Sequence, residues 1–156
     1  MKKFCMLLVL ALSCALGSKA ENMAVGFQFM AGTDVPQFGL NAKLQIGIIN
    51  HLRVEPEIVW LIKNKGTTTW NIGANVHYVF NIGKFNAYPI VGVGYGRYIH
   101  TAKDGWSLAN NRCYFNIGAG GEYNIADGLF ATLEIRGNLT KNYSQALFGL
   151  GLKYAF

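Results

Sequence analysis

The chain has 156 residues, 51% of them hydrophobic, but only 14% are charged, against about 25% in a typical soluble domain, and its 19 glycines make about 12% where about 7% is usual. The length allows one domain and the apolar content argues against intrinsic disorder. No stretch of the body reaches the run of about 18 apolar residues that a helical membrane span requires.

Chain order begins with an export signal. Lys2 and Lys3 form a basic start, Phe4 to Leu16 an apolar core, and Ser18-Lys19-Ala20 places small residues where a signal peptidase inspects them. Residues 1–20 therefore read as a cleaved signal peptide and residues 21–156 as one domain. Ala15-Leu16-Gly17 offers an earlier cleavage site. Cys14 offers a lipoprotein signal, which the preceding Ala11-Leu12-Ser13 fits poorly. Cleavage removes Lys2, Lys3 and Lys19, which lowers the formal charge from +6 to +3, too little for a nucleic-acid surface. Cys5 and Cys14 leave as well, so Cys113 has no intramolecular partner. Neither a disulfide framework nor a cysteine metal site follows.

From Met23 onward the apolar pattern alternates with period two. Strands are predicted at about 23–30, 38–48, 52–61, 70–80, 87–98, 112–125, 129–139 and 146–156. Turn chemistry separates them, as at Gly32-Thr33-Asp34-Val35-Pro36, Asn50-His51, Lys63-Asn64-Lys65-Gly66, Gly83-Lys84, Lys103-Asp104-Gly105, Asp127-Gly128 and Lys141-Asn142. Eight strands with short connections make an all-β, antiparallel, up-and-down sheet, and closing it into a barrel removes its edges.

The face that carries the apolar residues decides the solvent. In the second strand Phe38, Leu40, Ala42, Leu44, Ile46 and Ile48 share one face, and Gly39, Asn41, Lys43, Gln45 and Gly47 the other; the fourth and eighth strands repeat this division. The interior of an eight-stranded barrel is nearly filled by side chains, so six bulky residues per strand cannot all point inward. The apolar face must point outward, into hydrocarbon, and strands of about ten residues are long enough for a tilted crossing. The aromatics sort accordingly into two girdles: Phe29, Phe38, Trp60, Trp70 and Tyr95 near one rim, Tyr78, Phe80, Tyr123, Tyr154 and Phe156 near the other.

The same parity sends Lys43, Arg53, Glu55, Glu57, Arg112, Glu122, Glu134, Arg136 and Lys153 into the barrel. Near balance of sign suits a hydrogen-bonded plug, since unpaired charges in so confined a space are costly. Adjacent strands suggest Lys43 with Glu55 or Glu57, and Glu134 with Lys153. Inward Gly92, Gly94, Gly96, Gly118 and Gly120 leave room for water, so a lined pore stands as the alternative.

The chain resembles the small eight-stranded outer-membrane β-barrels of the OmpX and OmpA-barrel kind, a family also described as porin-like. The most specific feature is the ending, Phe148-Gly149-Leu150-Gly151-Leu152-Lys153-Tyr154-Ala155-Phe156, which resembles the family's C-terminal assembly signal closing on an aromatic. The resemblance implies a bacterial outer-membrane location, recognition of Phe156 by the barrel-assembly machinery, a monomer embedded in lipid, and both termini in the periplasm. The connections at about 31–37, 62–69, 99–111 and 140–145 then face outside; they read as short, which weakens an adhesive role. Trp106 in the longest reads as an interface anchor. The outer charges, mainly Lys63, Lys65, Arg97, Lys103 and Lys141, suit the phosphates of lipopolysaccharide. A lipid-modifying enzyme is the third reading. Its best candidates, His100, Asp104 and Ser107, form no nucleophile motif, and His51, His77 and His100 fit no metal-ligand spacing. No catalytic residue and no cofactor are expected.

Overall fold

The computed structural model describes residues 23–33, 37–64, 67–101, 107–140 and 143–156. Nine β elements follow one another: β1 (Met23–Gly32), β2 (Gln37–Ile49), β3 (Leu52–Asn64), β4 (Thr67–Tyr78), β5 (Phe80–Ile82), β6 (Phe85–Thr101), β7 (Ser107–Ala126), β8 (Leu129–Thr140) and β9 (Tyr143–Ala155). Neighbours in sequence pair antiparallel except β4 and β5, which both pair with β6, and the β1–β9 and β4–β6 ladders close the sheet.

β4 and β5 are one barrel strand interrupted at Val79. Against β6 the pairs His77↔Ile90 and Phe80↔Ala87 keep a single register. At the interruption Val79 N–H donates to His51 C=O at 2.7 Å, so the ladder passes from β3 into the β2–β3 turn. The result is a closed eight-stranded antiparallel barrel, as the alternation predicts. Closure matters because hydrocarbon offers no partner to a free backbone N–H or C=O.

Three tight turns, Asn50-His51, Gly83-Lys84 and Asp127-Gly128, lie at one end, with Met23 and Phe156; this is the turn end. The loop end carries the longer connections. His51, Gly83 and Gly128 hold φ of 74°, 67° and 75°, the left-handed region that tight turns require. At Gly128 a side chain is doubly excluded, because a Cβ would also lie 2.7 Å from Ala155 C=O.

The strands run past their predicted ends at the loop end. β6 and β7 pair as far as Thr101↔Ser107, where a loop over 99–111 is expected from sequence. β7–β8 pairing stops at Phe115↔Leu139. From Ser107 to Tyr114, β7 therefore pairs with β6 alone among the described residues. The third connection is a projecting hairpin, which corrects the expectation of uniformly short outer loops. Trp106 and Asp104 lie outside the described residues, as do Lys65, Lys103, Lys141 and the signal segment.

Candidate functional site: the charged barrel interior

Period two along each strand places alternate residues in the lumen. Outward residues are large, apolar and exposed, with Phe29 at 73% and Phe38 at 71%. Inward residues are polar and buried, with nineteen polar or charged side chains under 5% exposed among the described residues. They stack in three layers along the barrel axis.

At the loop end Met30, Val59, Leu61 and Leu147 form a buried apolar cluster inside the lumen. Sequence parity places Val59, Leu61 and Leu147 inward, but the expectation that the inward face is polar or small does not hold here. The cluster lies on the β9, β1 and β3 side of the lumen, and Gln37, Thr69, Asn71, Asn138 and Gln145 are buried toward the same end.

The middle layer is ionic. One guanidinium nitrogen of Arg136 donates to both Glu57 oxygens, at 2.9 and 2.8 Å, and Asn41 donates to Glu57 Oε2 at 2.9 Å. Lys43 donates to Glu134 and lies 3.3 Å from Glu55. Tyr88 Oη–H donates to Glu134 at 2.9 Å, and Gln45 donates to Glu55 at 2.5 Å. The side chains of Lys43, Glu55 and Glu134 are fully shielded, and those of Arg136 and Glu57 are 1% exposed. His77 stacks on Tyr88 with centroids 4.7 Å apart, and its Nε2 lies 3.7 Å from Glu55 Oε1.

The turn-end layer centres on Glu122. It accepts from Arg53 at 3.0 Å, Asn86 at 2.9 Å and Lys153 at 2.5 Å. The Arg53 guanidinium sits 5.1 Å from the Tyr88 ring centroid, and the Lys153 ammonium 4.4 Å from that of Phe130. The Arg53 side chain is 15% exposed.

These contacts revise the suggested pairs. Lys43 does reach Glu55, but Glu57 takes Arg136 and Lys153 takes Glu122, not Glu134. The register explains the last change: Glu134 lies opposite Gly149, and Lys153 opposite Phe130, so the two sit at different heights. Lys43 on β2 reaches Glu134 on β8 across the lumen, a contact that adjacency along the sheet does not suggest. Arg112, opposite Gly96, is half-buried at the loop end.

The inward glycines do not leave space for water. A Cβ on Gly94 would overlap the Tyr114 ring, one on Gly120 the Tyr88 ring, and one on Gly92 the Asn75 amide. These three glycines are seats for a neighbour's side chain, and Tyr88 and Tyr114 are buried on the β6–β7 side of the lumen.

On the outer face, Trp60 and Trp70 form a cross-strand pair at the loop end with rings stacked at 5.5 Å, and Phe29, Phe38 and Tyr95 are exposed on that side. Tyr78, Phe80, Tyr123 and Tyr154 are exposed toward the turn end, where Tyr78 meets Phe80 edge-on at 5.1 Å. Phe156 follows β9, and its N–H donates to Met23 C=O at 3.0 Å. Of the enzyme candidates, His100 and Ser107 pair through their backbones with Leu108 and Thr101. Their side chains lie outside the description. No group of three His, Cys, Asp or Glu residues suited to a metal occurs among the described residues.

A search of curated proteins found no match. Solved structures with this fold include the Neisserial surface protein A, 14% identical over 86% of this chain and 96% of that one, with a TM-score of 0.70. The N-terminal barrel domain of Pseudomonas aeruginosa OprF is 15% identical over 85% and 97%, also at 0.70. The Yersinia pestis attachment invasion locus protein Ail is 16% identical over 86% and 97%, at 0.64. At these identities the likeness is one of fold. The family is shown by a separate match, a model described as the outer membrane protein beta-barrel domain that spans residues 6–156, and the chain belongs to that family.

Proposed function

We propose that this barrel is a sealed, non-enzymatic outer-membrane protein, a monomer whose role is structural and surface-interactive. In this reading residues 1–20 are removed on export, the barrel-assembly machinery recognises Phe156, and the loop end faces outside. The observation that carries it is the interior. The ionic layer is shielded, Met30, Val59, Leu61 and Leu147 are buried beside it, and seated tyrosines occupy what glycines would otherwise open. A continuous water path through such a lumen requires several buried groups to move together.

The interactive part rests on the β6–β7 hairpin. Among the described residues the β7–β8 ladder stops at Phe115, so the end of β7 projects past β8, and Leu108 there is 73% exposed. An edge of that kind can add an extended strand from a partner. The likeness to the attachment invasion locus protein favours the same reading. On the outer face Arg97 lies opposite Trp70 and is exposed, a place for a lipopolysaccharide phosphate beside an interfacial aromatic pair.

Deleting Phe156 should impair membrane insertion far more than Ala155→Gly, read as the heat-modifiable folded fraction. Equal folded yields would remove the assembly role. Replacing Ser107–Asn111 with a proline-containing segment should abolish binding to host-cell or envelope proteins while the barrel still folds. Undiminished binding would exclude the hairpin edge.

A further inference from the structure

The lumen is a cup. Toward the loop end it is packed with buried side chains, and among the described residues it is open at the turn end, where a cavity of about 510 Å³ reaches down to Arg53, Glu122, Lys153, Asn86 and Gln45. That volume lies within the range of small-molecule sites.

The floor of this cup carries two cations on one carboxylate. Arg53 and Lys153 both bind Glu122. The remaining inward acids of the network, Glu55, Glu57 and Glu134, lie deeper and are engaged with Lys43 and Arg136. That middle layer thus holds three carboxylates on two bases, with His77 beside them. The lumen is near neutral as a whole but divided, with its positive excess on the side that water reaches. Lys153 keeps ammonium hydrogens beyond the one it gives Glu122, and both cations line the cavity, the Arg53 side chain 15% exposed and that of Lys153 3%. Val79 and Phe130 provide apolar wall.

We propose that the turn-end cup is a binding site for a small oxyanion, a carboxylate or phosphate group held between Arg53 and Lys153. The anion supplies the charge that Glu122 alone does not, and the walls accept a compact apolar body attached to it. Only a small ligand enters, because the middle layer closes the cup from below. The site does not depend on a surface-interaction role for the hairpin.

The test uses the full-length mature protein folded in detergent micelles. Sodium phosphate and sodium acetate are titrated separately against sodium chloride at matched ionic strength. The readout is the backbone amide shifts of Gln45, Asn86 and Lys153 in two-dimensional NMR. Saturable shifts with phosphate, acetate or both, beyond those of chloride, are expected, and the stronger arm names the chemistry. Arg53→Gln should weaken the binding at least tenfold, whereas Lys84→Gln, a turn lysine at the same end, should not. Lys153→Gln serves the same purpose if Arg53→Gln folds poorly. Shifts no larger than chloride's, or saturation that survives both cup variants, overturn the proposal.

Discussion

Glu57 and Glu122 are inward carboxylates on neighbouring layers of one lumen, each bound to an arginine and an asparagine and each 1% exposed, yet only the second has a partly exposed arginine. Glu57 and Arg136 are each 1% exposed at the side chain, beside the apolar cluster. Glu122 shares its oxygens with an arginine that is 15% exposed, at the floor of an open cup. The same ion-pair chemistry therefore carries different consequences. A charge stranded in the middle layer has no solvent to turn to, while one stranded at the turn end can rehydrate.

The largest difference should come from Glu57→Ala, which leaves the Arg136 guanidinium buried. It should lower unfolding stability in micelles by about 3–5 kcal/mol. Gly94→Ala should cost about 1–3 kcal/mol, because the new methyl displaces a packed tyrosine ring. Combining it with Tyr114→Ala should recover part of that loss, and a purely additive double variant would contradict the seat. Glu122→Ala, with water reaching Arg53, should cost about 1–2 kcal/mol, measured in the same denaturant titration. If Glu122→Ala proves as costly as Glu57→Ala, the distinction between a dry and a wet layer fails. Lys84→Ala, on an exposed turn, should leave the unfolding midpoint unchanged.

How much of this the sequence shows depends on the solvent outside each segment. Where hydrocarbon surrounds the barrel, every outward residue must be apolar, so strands such as Phe38 to Ile48 declare both their period and their face. Beyond the membrane that contrast vanishes. Ile99-His100-Thr101 and Ser107-Leu108-Ala109-Asn110-Asn111 alternate between two wet faces, which is why they read as a loop and fold as a hairpin. The inward charges are legible by parity, but their partners are not. Lys43 meets Glu134 across the lumen because of how the closed sheet is staggered, and no single strand carries that information. The apolar cluster did leave a signal: Val59, Leu61 and Leu147 are large apolar residues on the inward parity, all near the same end. The glycines mislead in the opposite direction, since a missing side chain reads as space until a tyrosine from the next strand is seen to fill it.

Planar-bilayer recording of the folded protein, alone and as Glu57→Ala, tests the sealed lumen most directly. The buried cluster of Met30, Val59, Leu61 and Leu147 and the shielded Arg136–Glu57 pair predict no stable ohmic channel in the native chain. Glu57→Ala should register in denaturant unfolding and should not alter an ion selectivity. Stable cation-selective channels in the native protein that disappear in Glu57→Ala would contradict the account.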